Sequence, residues 1–228
     1  CLVVVFAINA FGPPAAVIAA AGIVGLAAVL FAFADGGRRV GATVVGVVVV
    51  VGFGMATAFT IELKPSPEKF AFSFLADPGN VRLFGNRWSA IFRTDSFGYK
   101  DEEFSRRGSY AGWGISPHWK EKAATQGPKI RFITHDGDAG AVIYNFDGDL
   151  SKLEMFDHLI LKTPYLLLED PNVLVIGVGG GTDIVNAVKN RARHVTGIEL
   201  DPTTVDIIRY EQAEFAGHLY DRSDVTIL

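Results

Sequence analysis

Cysteine is almost missing from this sequence: Cys1 is its single thiol, so no intrachain disulfide and no thiolate metal cluster can form. The five histidines, His118, His135, His158, His194 and His218, are scattered without the short, regular spacing of a zinc site, and no metal is expected. A basic stripe is missing as well. With a formal net charge of −4 the chain lacks the electrostatic footprint of a nucleic-acid binder, and no nucleic-acid partner is expected. Charge of either sign is nearly absent from the first 60 residues, where Asp35, Arg38 and Arg39 stand alone. The remainder has the mixed charge and aromatic content of an ordinary globular domain, so the chain divides into two regions.

Residues 15–34 run for 20 positions without a charge, and residues 40–60 for 21. Each run approaches the ~20 residues a helix needs to cross a hydrocarbon core. Soluble helices keep a polar face, and these have none. Residues 1–11 read as the tail of an earlier span, closed by Gly12-Pro13-Pro14. Successive spans without a charged leader argue against a signal peptide. Residues 1–62 are therefore expected to form a multi-pass transmembrane region, with a partial span 1–11 and spans 15–34 and 40–60. The short link Asp35–Arg39 makes the two complete spans a tight antiparallel hairpin. Arg38 and Arg39 would place that link in the cytoplasm by the positive-inside rule. Lys64, Lys69 and the need for a cytosolic cofactor pull the other way, and a cytoplasmic C-terminal domain is the expectation. Cys1 in place of methionine and the strand-like Val225–Leu228 read as the cut ends of a longer chain.

Residues 63–150 read as a linker and a small β-strand domain. Lys64-Pro65-Ser66-Pro67 ends the membrane part, because paired prolines cannot continue a helix. Residues 87–95 predict a strand. Residues 130–134 and 141–146 predict a hairpin around the five-residue loop Asp136–Gly140. The segment around Tyr110, Trp113 and Trp119 reads as loop, its aromatics covering the sheet or lining a pocket. Leu153, Phe156, Leu159 and Ile160 recur at helical spacing and predict a helix over 150–168, interrupted at Pro164, with Asp149 as its N-cap.

The chemistry lies in residues 151–228, read as the N-terminal part of a Rossmann-like nucleoside-binding domain. Val173–Ile176 is a continuous apolar run, as expected for a parallel strand covered on both faces. It leads into Gly177-Val178-Gly179-Gly180-Gly181-Thr182-Asp183. A helix over 184–190 and a second strand over 194–200 follow, the strand carrying Glu199 near its end. Glycines there permit a tight turn and close approach of a ligand to the backbone, and a carboxylate ending the second strand can accept ribose hydroxyls. Glycine clusters alone are weak evidence; strand, glycine turn, helix, strand and terminal acid in this order are strong. Gly177, Val178, Gly179 and Gly180 are the candidate donor-lining residues, with Glu199 and Leu200 at the second strand end. Asp183 either contacts the ligand's amino end or caps the helix. Thr182 occupies the position where dinucleotide folds prefer a third glycine, which counts against NAD without excluding it.

From Arg87 onward the chain resembles spermidine synthases, in particular the membrane-fused spermidine synthase-like proteins. The resemblance rests on Arg87-Trp88-Ser89, the hairpin, Glu154-Met155 with His158, Gly177–Asp183, Val195–Pro202 and Phe215–Tyr220. It implies transmembrane α-helices, then a small β-domain and an incomplete α/β Rossmann-like domain of methyltransferase type. The implied co-substrate is decarboxylated S-adenosylmethionine, or S-adenosylmethionine itself, with aminopropyl or alkyl transfer to a small amine. The sequence departs from that family at two points. Gly180 stands where the enzymes carry an aspartate, and Lys152-Leu153 where they carry Tyr-His, so a lysine sits where a cationic diamine would bind. Downstream carboxylates would lie beyond Leu228, and no catalytic residue is assigned. A methyltransferase is the alternative enzyme, and a transporter or sensor with a regulatory nucleoside-binding domain the alternative outside catalysis. Whether the chain assembles as a homo-oligomer is left open.

Overall fold

The computed structural model describes residues 2–34, 41, 44–49, 52, 66–108 and 114–228. The chain forms two compact units, Cys1–Lys64 with Trp88–Ile91, and Pro65–Arg87 with Phe92–Leu228.

In the first unit, α1 (Leu2–Phe11) and α2 (Pro13–Ala34) are separated by Gly12, whose φ of +80° only glycine adopts without strain. Pro13 and Pro14 begin α2 rather than close α1, because a first-turn proline has no amide hydrogen to leave unpaired. The helix therefore starts two residues before the expected span. Within it, the 19 residues Pro13–Phe31 are long and apolar enough to cross a membrane, with none buried in protein. No other helix among the described residues meets that test. Residues 44–49 are helical and lie against α2: a Cβ on Gly25 would sit 2.6 Å from Val49 Cγ2, and one on Gly46 3.5 Å from Val29 Cγ2. Glycines at such a crossing let two backbones approach closely. The link 35–39 and most of the expected span 40–60 lie outside the described residues.

The second unit is mixed α/β and contains two sheets, β1-β2-β3-β4 and β5-β6-β7. The first comprises β1 (Val81–Trp88), β2 (Arg93–Tyr99), β3 (Ile130–His135) and β4 (Ala139–Tyr144), with β2–β3 and β3–β4 antiparallel. The single strand expected over 87–95 is instead the end of β1 and the start of β2. Ser89 Oγ accepts the Ile91 amide hydrogen, and a local side-chain bond of that kind competes with a ladder. The β3–β4 loop is tighter than expected. Ala139 and Gly140 pair with His135 and Thr134, leaving the three-residue turn Asp136–Asp138, with Asp136 at φ +50° and Gly137 at +76°. A short helix, α3 (Phe70–Leu75), packs Phe74 against Phe97 and Phe132.

Helix α4 (Glu102–Gly108) precedes the segment expected to be loop, and Trp119 of that segment lies instead in a helix, α5 (Pro117–Gln126). Ser116 caps α5 by accepting from the Trp119 amide, and Pro117 occupies its first turn. Trp119 is fully buried and stacks on His158 at 5.2 Å. Tyr110 and Trp113 lie outside the described residues. Residues 150–168 form two 3₁₀ segments, Leu150–His158 and Ile160–Leu166, rather than one helix. The backbone between them is committed elsewhere. His158 O accepts from Ser116 N, Gly114 O accepts from Ile160 N, and Leu159 is extended to bridge Ile115. Asp149 caps the first segment as expected, accepting from Ser151 N at 2.9 Å.

The second sheet is parallel, with β5 (Asn172–Ile176), α6 (Thr182–Lys189), β6 (His194–Ile198), α7 (Pro202–Asp206) and β7 (Val225–Ile227) in chain order. Its inner face buries Val175, Val195 and Val225 in a core that includes Phe146, Leu153, Met155 and Phe156. Each large apolar side chain buried there contributes roughly 1.5–3 kcal/mol. The outer face does not match the expectation of cover on both sides: Leu174 is 60% and Ile176 77% exposed. Side chains alternate along a strand, so the inward register of Val175 sends its neighbours outward.

Candidate nucleoside-binding site

The site is built where β5 ends. Gly177 N donates to Ile198 O at 2.8 Å, tying the turn to the end of β6. The turn bends sharply through positive φ at Gly177 (+77°), Gly179 (+49°) and Gly181 (+88°), then enters α6. The glycines serve different ends. A Cβ on Gly177 would meet nothing within 4 Å, so that position borders open space. A Cβ on Gly180 would lie 2.3 Å from the Val142 carbonyl oxygen, and one on Gly179 3.0 Å from Ala141 Cβ. Gly179 and Gly180 thus let the turn press onto β4. The Val178 side chain is 4% exposed and belongs to the core, so only its backbone can reach a ligand.

Glu199 follows β6 directly and holds the turn. Its Oε2 accepts the Gly179 amide hydrogen at 3.1 Å, and its Oε1 accepts the Asp201 amide hydrogen at 3.1 Å. A carboxylate has about four lone-pair positions, so two such bonds leave acceptor capacity for hydroxyls. Tyr220 closes the other side, donating to Gly179 O at 2.9 Å. Its phenol is pushed up by burial and by the Glu199 carboxylate, so it remains a donor at neutral pH. Leu200, 71% exposed, points away from the core and makes no polar contact to the turn.

Asp183 lies in the first turn of α6, where negative charge is favoured by the helix dipole. Gly181 is the N-cap, with no side-chain bond, so Asp183 does not cap the helix. Its carboxylate is exposed and accepts no hydrogen bond among the described residues. It acts on two phenols. Tyr144 is pushed up to about 12 by burial, partly offset by a Thr182 hydrogen bond, with Asp183 adding to the rise. Tyr165 is raised by burial and then by Asp183. The structure therefore brings Gly177, Gly179, Glu199 and Asp183 to the turn, puts Val178 and Gly180 into packing, and leaves Leu200 outside.

Two contributors carried little sequence signal. Tyr220 arrives from 41 residues beyond Gly179. Asp201 is fully buried, with Oδ2 accepting from Thr94 at 3.0 Å and Thr204 at 3.2 Å, and Oδ1 from Thr203 N at 3.3 Å. Thr204 has given its one proton, so His135 Nε2, 2.7 Å away, donates to it. Asp201 before Pro202 is the kind of residue pair that starts a helix, a signal that could have found it, whereas the reach of its carboxylate to β2 has no local signal. Lys152, expected to repel a diamine, is ion-paired with Asp147 at 2.7 Å, and Leu153 is core. Among the described residues no three His, Cys, Asp or Glu side chains converge on a metal position.

No protein-family model matches the chain, and no curated protein matches it. Among solved structures it is similar to a spermidine synthase in complex with the transition-state analogue AdoDATO, at 17% identity and a TM-score of 0.40, covering 75% of this chain and 50% of that one. It is also similar to the spermidine synthase from Thermotoga Maritima, at 18% identity and a TM-score of 0.39, covering 75% and 51%. The chain spans about half the length of the structures it matches. Similarity of this size fixes neither ligand nor reaction.

Proposed function

We propose that the turn at Gly177–Gly181 and Glu199 bind the adenosine part of S-adenosylmethionine or its decarboxylated relative, in a membrane-anchored protein that transfers an aminopropyl or other alkyl group to a small amine. The observation that carries this reading is the Glu199 carboxylate, fixed against the Gly179 amide beside the open position of Gly177. A ribose diol laid there would meet a pre-oriented acceptor, and its adenosine would lie along the turn. Asp183, exposed and without a hydrogen-bond partner among the described residues, suits the cationic end of such a ligand. The apolar stretch Pro13–Phe31 supplies the membrane anchor in this reading, with the nucleoside site on the cytoplasmic side.

In the transfer, the amine lone pair attacks the carbon beside the sulfonium. The carbon–sulfur bond breaks toward sulfur, leaving a neutral thioether, and the nitrogen sheds a proton to a base. Holding the two reactants in line supplies much of the rate. Methyl transfer is the second reading, and Gly180 favours it. Its Cβ position is filled by the Val142 carbonyl, so a diamine-binding carboxylate has no room at that point of the turn.

The test is calorimetric titration of the full chain in detergent micelles with decarboxylated S-adenosylmethionine, S-adenosylmethionine and NAD in parallel. Glu199→Ala should lose about 1.5–3 kcal/mol of binding, the value of a hydrogen bond to a charged acceptor. Melting curves of Glu199→Ala and Glu199→Gln separate that loss from loosening of the turn. Preference for the decarboxylated ligand supports aminopropyl transfer. Preference for the intact ligand moves the assignment to methyl transfer or sensing, and binding of NAD alone ends the sulfonium reading.

A further inference from the structure

A cavity of about 520 Å³ opens beside the first sheet, and no residue of the glycine turn lines it. Four cations border it, Arg82, Lys100, Lys129 and Arg131, against the single carboxylate of Glu102. Glu102 is spoken for, since it pairs with Lys129. Lys100 donates to Pro78 O at 2.6 Å and also acts on Asp77, which is held low mainly by its hydrogen bond from Asn80. Arg82 has no hydrogen bond or ion pair among the described residues, only a contact over the Phe84 ring at 5.3 Å. In a chain of net charge −4, this concentration of positive charge is local and unbalanced.

Arg131 is the organising group. Its guanidinium is clamped between the Phe84 and Phe215 rings, 3.9 Å from each centroid, and Nη1 donates to Gln212 Oε1 at 2.5 Å. Gln212 in turn donates to Ser96 Oγ at 3.3 Å, so the plane is locked from behind. A guanidinium has five N–H donors in a fixed fork, and four of these have no acceptor among the described residues. Burial, and then the like charge of Arg82, push Arg131 down to about 10, so the pair is held together at an electrostatic cost. A fork already immobilised by stacking loses little further entropy on meeting an oxyanion and matches phosphate oxygens two at a time. Three cations without a paired carboxylate ask for more than one negative charge, and the volume lies in the ~300–1,000 Å³ range of small-molecule sites.

We propose that this cavity is a second ligand site, for a small molecule bearing a phosphate or diphosphate group, with Arg131 and Arg82 gripping the oxyanion and Lys100 adding charge at its rim. The experiment is calorimetric titration of the full chain in micelles with inorganic phosphate, pyrophosphate and adenosine diphosphate. Pyrophosphate should bind saturably at one site, more tightly than phosphate. Arg82→Gln should weaken it at least tenfold, and Phe215→Leu, which releases the Arg131 clamp, several-fold. Adenosine diphosphate binding more tightly than pyrophosphate, with the gain lost in Arg82→Gln and kept in Glu199→Ala, would assign the site to a nucleotide, and equal binding to the phosphate group alone. Arg82 is exposed, so its variant should melt as the wild type does. If it does not, Lys100→Gln provides the same reading. No saturable binding below about 1 mM pyrophosphate, a free energy weaker than ~4 kcal/mol, would overturn the proposal. So would wild-type affinity in both variants, which would make the anion adventitious.

Discussion

Strand β2 carries Arg93, Thr94, Asp95 and Ser96 and buries all four, whereas β5 carries Leu174 and Ile176 and leaves both largely in solvent. Composition alone would have assigned them the other way round. The polar strand can be buried because nearly every group on it finds a partner. Arg93 pairs with Asp95 at 2.8 Å, Thr94 bonds Asp201, and Ser96 accepts from Gln212. Only Asp95 shows the cost: its Oδ2 is buried without a partner, and burial pushes its carboxyl up despite the neighbouring guanidinium. Along β2, burial follows the positions of partners rather than hydrophobicity. β2 is the seam between the antiparallel sheet and the segment after Glu199, and its polar bonds hold that segment in place.

Breaking that seam should have the largest effect. Asp201→Ala removes the acceptor of two buried hydroxyls and one helix-start amide. Bonds to a charged acceptor contribute about 1.5–3 kcal/mol each, so the variant should lose about 4.5 kcal/mol or more by chemical denaturation of the full chain in micelles. Asp201→Asn keeps one oxygen and should lose less. If both variants unfold with the wild type, β2 is not held by Asp201 and the seam is apolar in origin.

The glycine turn gives an intermediate effect and sharpens the same contrast between packed and open positions. Gly180→Ala drives a methyl to within 2.3 Å of the Val142 carbonyl, and overpacking of backbone costs about 2–3 kcal/mol. Gly177→Ala meets no atom but must hold φ near +77°, which costs an L-residue about 1–2 kcal/mol. Melting of the two variants in parallel should therefore rank Gly180→Ala as the more damaging. The reverse order would mean that Gly180 can move away from β4 and that its place in the turn is not fixed by packing.

Much of this was legible in the chain and some was not, for reasons that can be traced. The order β5, glycine turn, α6, β6 and acid reads off the sequence because each step is local: an apolar run, a glycine cluster, a 3.6-residue period. Two features do not read off so directly: the split of 87–95, which turns on one local Ser89–Ile91 bond inside an otherwise strand-like run, and the 3₁₀ geometry of 150–166, whose cause is distant in sequence. The second arises because Gly114 and Ser116, more than 40 positions upstream, take the hydrogen bonds that a helix through His158–Ile160 would have used. α5 is a different case, since Ser116-Pro117 is a helix-start signal and the surrounding aromatics drew the reading toward loop. At the site, glycine identity could not say which glycine borders space and which borders backbone. That distinction depends on β4, whose Ala141 and Val142 lie 38 positions before the glycines they touch, Gly179 and Gly180.

The smallest expected effect lies on the bare side of the comparison. Ile176→Ser removes a side chain that is 77% exposed, at the edge where β5 gives way to the turn. An exposed apolar group contributes little to folding, and surface substitutions usually stay within about ±0.5 kcal/mol. The variant should melt with the wild type, while Val175→Ser, one residue away and facing the core, should lose several times as much. Equal losses at the two positions would mean that the outer face of the parallel sheet is covered in the protein as it exists in solution. The contrast between β2 and β5 would then shrink to one strand with unusual polarity, because Leu174 and Ile176 would be ordinary core residues.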